Sequence, residues 1–307
     1  VRTAPVDAAD LTDLSLADLA EVEVTSVSKT PEPLRGAAAA VYIITRDAIA
    51  RSGALRLIDA LRLAPNLLVQ KTSPTSYTLS ARGLAGNPVD QNFSNKLLFL
   101  IDGRSVYTPL FAGIYADAID VPLDDVARIE VISGPGATLW GANAMNGVVN
   151  VITRSAERTS RGFLDAADGS LRRRGTVRYG AATAADAWLR CYGDAFHEDG
   201  LRRADGADAG DGWSKAQAGC RFDSMLEAGQ LTIQGDTYRG SENQPEGPDG
   251  LVTGGNVLAR MQRHGVRSDW QLELSITGTD LLHRSHIETP GGDQIPSAIL
   301  GEARWRF

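Results

Sequence analysis

Side chains able to do chemistry are few and scattered in this 307-residue chain. It has four histidines and two cysteines. Cys191 and Cys220 are too few for a zinc site or a disulfide scaffold. His283 and His286 share one late loop where they could touch a metal or a metal chelate, although a solvated loop histidine is the simpler reading. Glu130 has no second carboxylate placed beside it by any motif, so it reads as half of a salt bridge and not as a general acid. Gly134, Gly136, Gly141 and Gly147 lie between two β-branched runs. Neither a P-loop Lys-Ser/Thr pair nor a complete G-x-G-x-x-G follows Gly134, so a phosphate cradle is excluded. The glycines read instead as places where backbone packs against backbone. No catalytic residue, resident metal or cofactor is expected, and an enzyme has almost no support.

Composition narrows the partners. A net charge of -7 and a pI near 5.2, with arginines interleaved among Asp and Glu, exclude the basic face that nucleic acid requires. With 43% hydrophobic and 22% charged residues, the chain is ordinary for one that buries a core. No apolar run approaches the ~18 residues of a spanning helix. The longest is 37–44. A membrane could therefore be crossed only by a barrel. The chain starts at Val1 with no secretory leader, so secretion with a removed leader is an expectation.

The elements that must position any binding residues divide near Thr153. Residues 38–44 read as a buried strand, and Thr45 or Asp47 can cap the helix that follows. Ile49, Leu55, Ile58, Leu61 and Leu63 fall at helical spacing, with Gly53 as a break between two short helices and Pro65 as the stop. Residues 67–69, 78–81 and 97–101 are strand candidates, and Asp102-Gly103 signals a two-residue hairpin. The stretch Arg128–Arg154, RIEVISGPGATLWGANAMNGVVNVITR, reads as strand, tight connection, strand. Strands and helices around one core predict an α+β domain.

At that stretch the sequence also resembles the end of the plug domain of TonB-dependent outer-membrane receptors. SARG at 80–83 and LLFLIDGRSVY at 97–107 precede it in the same family's order, and the likeness covers roughly residues 20–155. The resemblance implies an N-terminal segment at 1–30, a plug at 31–155, and the first part of an outer-membrane β-barrel at 156–307. Within EVEVTSVS at 21–28, Glu23, Val24, Thr25, Ser26 and Val27 match a TonB box in position and alternation. Such a box is an extended strand captured by the energy-transducing partner. The alternative is the plug's own first strand. Arg82 and Arg128 match family arginines that pair with barrel carboxylates, as a desolvated arginine between two walls requires. The plug apex, with Tyr77, Asn87, Asn92, Phe93, Tyr107, Phe111 and Tyr115, is the implied cargo contact. Ferric siderophore is the commonest cargo in the family, with cobalamin or another chelate as the alternative.

The second half supplies independent support for a barrel. In 266–278 Trp270, Leu272, Leu274 and Ile276 alternate with Asp269, Gln271, Glu273 and Ser275, and 231–238 and 299–307 alternate likewise. A soluble β-sandwich behind a plug-like binding or signalling module would show the same period with its apolar face turned inward. A lipid-facing wall fits better, because the apolar face is rich in Ala and Gly and nearly without charge. About eight strands are expected, near 163–168, 174–182, 187–197, 214–224, 230–239, 256–264, 266–278 and 298–307, with long connections after the third, fifth and seventh. Plugged transporters need about 22 strands, so a longer natural chain that continues past Phe307 is expected. Cys191 and Cys220 fall on the apolar parity and should be neighbours across a hairpin, either bonded in the oxidising periplasm or as two thiols.

Overall fold

The computed structural model describes residues 23–24, 32–33, 39–82, 96–107, 114–116, 118–134, 136, 140–141, 143–245, 249–263, 270–279, 286–287, 294–295 and 298–306. Two compact units result, Val1–Thr72 with Ser76–Thr153, and Ser73–Thr75 with Arg154–Phe307.

The first unit begins with a two-residue ladder between β1 (Glu23–Val24) and β2 (Glu32–Pro33). β3 (Ala40–Thr45) leads into α1 (Arg46–Ser52), whose first turn is capped by the Thr45 hydroxyl accepting from Ala48 N at 3.1 Å. Gly53 ends that helix; α2 (Leu57–Ala60) and a 3-10 turn at Leu61–Leu63 follow. β4 (Leu67–Lys71) and β5 (Tyr77–Ala81) form their own hairpin. β6 (Leu97–Ile101), β7 (Arg104–Ser105), β8 (Val126–Ser133) and β9 (Gly147–Thr153) join β3 in one sheet of order β3-β8-β9-β6-β7. Asp102 and Gly103 turn β6 into β7 with φ of 49° and 83°, the paired positive values of a type I′ hairpin.

Both faces of this sheet are covered, which explains its uninterrupted apolar strings. Phe99, Ile129, Val131 and Val149 enter the larger core with the helices, while Leu98, Leu100, Ile132 and Val148 enter a second one. β3 departs from the buried strand expected at 38–44. It is an edge strand in which only Ile44 and Thr45 are buried.

Gly147 is required by packing. A Cβ there would lie 2.4 Å from the Ile132 carbonyl oxygen, across the β8–β9 ladder. Gly147→Ala is expected to cost about 1–3 kcal/mol, seen as a lowered denaturant midpoint. Gly175→Ala, where nothing lies within 4 Å, should leave that midpoint unchanged.

The second unit is an antiparallel meander of eight strands: β10 (Arg161–Asp168), β11 (Arg172–Ala184), β12 (Ala187–Glu198), β13 (Trp213–Leu226), β14 (Gly229–Glu242), β15 (Gly250–Arg263), β16 (Trp270–Thr279) and a last strand at Ala298–Arg306. Inside the final connection β17 (His286–Ile287) pairs with β18 (Gln294–Ile295), which makes the last strand β19. Among the described residues β10 and β19 do not pair, so the sheet is an open, incomplete barrel. The connections after β11 and β13 are tight, at 185–186 and 227–228. Those after β12, β14 and β16 are longer and leave one common edge of the sheet.

Burial in this sheet runs opposite to that of a soluble protein. Arg174, Arg178, Arg190, Lys215, Asp223 and Glu273 are 2–8% exposed, whereas Leu164, Val177, Tyr179, Val257, Ile276 and Trp305 are 54–78% exposed. A β-sandwich would hide the second set and solvate the first. The sandwich expectation is therefore overturned, and the apolar band is that of a transmembrane wall.

Candidate functional site

No group of three or more His, Cys, Asp or Glu able to hold a metal occurs among the described residues. What the structure offers is a set of buried charge contacts that fix segments. In the first unit Arg56 is 0% exposed at the start of α2, and its Nε lies 3.6 Å from Asp120 Oδ2. Asp120 Oδ1 accepts from Leu57 N and from Val121 N, each at 3.0 Å, so it satisfies an otherwise orphaned helix-start donor. Arg56 Nη2 donates to the Ala116 carbonyl at 3.1 Å, and its guanidinium lies 5.8 Å from the Tyr77 ring centre. One arginine thus anchors the segment around Tyr115 to the helical layer. Nothing in the sequence marked this pair beyond a charge inside the apolar string Ala54–Ile58.

A second lock closes the sheet. Asp102 Oδ1 accepts from Thr153 N at 2.8 Å and Asp102 Oδ2 from the Thr153 hydroxyl at 2.7 Å, tying the hairpin turn to the end of β9. Arg128 Nε donates to Glu130 Oε1 at 2.8 Å along β8, with Glu130 fully buried. The salt-bridge reading of Glu130 thereby gains a partner.

The residues singled out from sequence separate into three sets. Glu23 and Val24 lie in β1, paired with Pro33 and Glu32, whereas Thr25, Ser26 and Val27 fall outside the described residues. Arg82 is exposed at φ 59°, and a Cβ at Gly134 would lie 3.5 Å from its Nη2. Tyr107 and Tyr115 are half-buried, with Tyr107 N donating to Ser105 Oγ at 3.3 Å. Asn87, Asn92, Phe93 and Phe111 lie outside the described residues, as does His283. Tyr77 is corrected. It is 2% exposed within the main core, because its position in β5 turns the ring toward Arg56 and not toward solvent.

Four of the arginines on or near the buried face of the barrel unit meet carboxylates. Arg172–Glu198, Arg174–Asp194, Arg221–Asp223 and Arg260–Glu273 approach to 2.7–3.0 Å. The stretch that opens this unit is held to the same wall. Asp223 Oδ2 accepts from Ala156 N at 2.7 Å, Arg190 Nη1 donates to Arg154 O at 2.9 Å, and a Cβ on Gly180 would meet Thr159 O at 2.5 Å. Period-two alternation announced these inward charges but could not say that two of them seize residues 154–156.

Cys191 and Cys220 stand directly opposite in the β12–β13 ladder and form a disulfide. Of the two outcomes left open by the sequence, the bonded one is realised.

Residues 33–148 match the family model described as TonB-dependent Receptor Plug Domain. Vitamin B12 transporter BtuB of Vibrio vulnificus (strain CMCP6) is 31% identical over 147 residues, which is 48% of this chain and 23% of that protein. The iron-regulated outer membrane virulence protein of Vibrio cholerae serotype O1 (strain ATCC 39541 / Classical Ogawa 395 / O395) is 29% identical over 45% of this chain and 21% of its own length. The chain therefore spans about a quarter of the length of these curated relatives. Among solved structures, the pyoverdine outer membrane receptor FpvA from Pseudomonas aeruginosa PAO1 bound to pyoverdine aligns with a TM-score of 0.65 at 15% identity, over 84% of this chain and 40% of that one. A mutant (G324V) of the ferric enterobactin receptor PfeA from Pseudomonas aeruginosa gives 0.63 at 18% identity, over 84% and 42%.

Proposed function

From a chain that carries the plug domain and eight barrel strands of a TonB-dependent receptor of the bacterial outer membrane, we propose energy-coupled import of a large, scarce metal chelate. The observation that carries this reading is the inverted sheet, with apolar side chains turned out and arginine-carboxylate pairs turned in, joined in sequence to a plug. Such a wall is stable only with hydrocarbon on one side and a polar filling on the other. Binding and transport need no nucleophile or general base, in keeping with a family of receptors and transporters rather than enzymes.

Cargo meets the apex of the plug at Asn87, Asn92, Phe93, Tyr107, Phe111 and Tyr115, whose amides and aromatic rings suit adaptable contact with a chelate. An energy-transducing partner of the TonB type captures residues 23–27 by strand addition and pulls, displacing the plug. Arg82 and Arg128 hold the plug in place until that pull. A ferric siderophore is the favoured cargo, because several neighbours are named for iron or its chelates. Cobalamin is the second reading, supported by the relative named as a vitamin B12 transporter.

Deleting residues 21–28 in the receptor as the cell makes it should leave surface binding of cargo intact and bring energy-dependent accumulation to background. Parallel assays with ferric siderophores and with cobalamin decide the cargo. Accumulation of every tested chelate at the undeleted level would overturn the coupled-import reading.

A further inference from the structure

The disulfide lies on the lipid side of the wall, and this rests on reading the sheet as a membrane barrel. Cys220 is exposed and Cys191 half-exposed on the outward parity. Their outward neighbours along and across the ladder are Val177, Tyr179, Leu189, Ala218, Phe222 and Ile233. None of these is charged, and Val177 and Tyr179 are 57% and 67% exposed. Once inserted, both sulfur atoms face hydrocarbon.

Hydrocarbon forbids the chemistry that makes the bond. Exchange requires a thiolate attacking a disulfide, and an isolated charge is strongly disfavoured in an apolar medium. A water-soluble oxidant also cannot reach a sulfur atom in the bilayer. The bond must therefore precede insertion.

The register of this hairpin gives the bond a purpose. Strands β11 and β12 are joined through 185–186, and β13 and β14 through 227–228, so tight turns fix those pairings. β12 and β13 are joined through 199–212, a loop too long to set register by itself. With β12 held to β11, a slip of one residue would turn the inner face of β13, where Lys215 and Asp223 are buried, into lipid.

We propose that Cys191 and Cys220 are oxidised in the periplasm by a dithiol–disulfide oxidoreductase before the barrel enters the membrane, and that the bond locks the β12–β13 register for assembly. One cysteine thiolate attacks the oxidoreductase disulfide to give a mixed disulfide and release one thiolate of the enzyme. The second cysteine thiolate attacks the sulfur of the first. The oxidoreductase departs as its two-electron-reduced dithiol, and the two protons given up by the cysteines balance those it takes on.

The test follows the full-length receptor in cells. After a pulse label, samples are acid-quenched and alkylated under denaturing conditions with a polymer-linked maleimide. Insertion is scored separately by protease resistance and heat-modifiable migration. The species not yet inserted should already resist alkylation. Thiols that react before insertion and disappear only afterwards, or that stay reactive in the inserted barrel, would overturn the proposal while leaving the membrane wall standing. Oxidised receptor recovered from the aqueous fraction with no inserted species would overturn the wall itself, and the proposal with it. The double variant Cys191→Ser with Cys220→Ser should lower inserted receptor roughly threefold at steady state. An unchanged level would remove the assembly role.

Discussion

Asp120→Ala will destabilise the plug by about 3–5 kcal/mol, because it leaves a buried arginine charge without its carboxylate. Asp120 and Arg56 are both within 4% of complete burial, and Oδ1 of the aspartate also receives the Leu57 and Val121 amides. Two amide donors lose their acceptor, and the guanidinium loses a carboxylate 3.6 Å away. Asp120→Asn keeps an oxygen for the two amides and discards the charge, so its loss should be smaller. Adding Arg56→Met to Asp120→Asn removes the buried cation together with its carboxylate and should recover part of the deficit, since a buried ion pair contributes less than breaking it costs. Hydrogen exchange of the β9 amides in the receptor reports the change, because β9 sits inside the plug sheet. Equal protection in the wild type and Asp120→Ala would show that the pair does not hold the plug.

Ile276→Arg will sharply reduce the amount of protein assembled in the outer membrane. Ile276 is 59% exposed on the outward face, level with Val257 across the β15–β16 ladder. An arginine near the bilayer midplane costs about 2–4 kcal/mol on a barrel's lipid face, whereas on a soluble surface it would cost almost nothing. Ile276→Leu conserves the apolar surface and should assemble normally. Heat-modifiable migration of membrane fractions separates these cases. Normal assembly of Ile276→Arg would mean that the face meets water, and the transporter reading would fall.

Much of the architecture is local and was legible for that reason. Thr45 caps a helix because its hydroxyl reaches a donor three residues on, and Asp102-Gly103 turns because its two residues take positive φ. The eight barrel strands announce themselves by period two, which needs only the pleat of one strand. Cys191 and Cys220 could be set opposite each other from the position of a single hairpin loop.

The contacts that build the candidate site are different in kind. Leu57 and Asp120 are 63 positions apart, and Ala156 and Asp223 are 67 apart, yet each pair shares a hydrogen bond. No periodicity reports such a meeting, since it depends on how whole elements pack. Tyr77 is enclosed in the same way, by a core whose members run from Ile44 to Val151.

The sequence by itself determined the family likeness, the strand count and the division of each strand into an apolar and a polar side. Only the tertiary structure decided which side is turned outward, that the cysteines are joined, and which carboxylate meets which arginine. Alternation is a property of one backbone and is symmetric with respect to inside and outside. The choice between them is made by solvation of the whole sheet, and an ion pair exists only once folding has brought its two halves together.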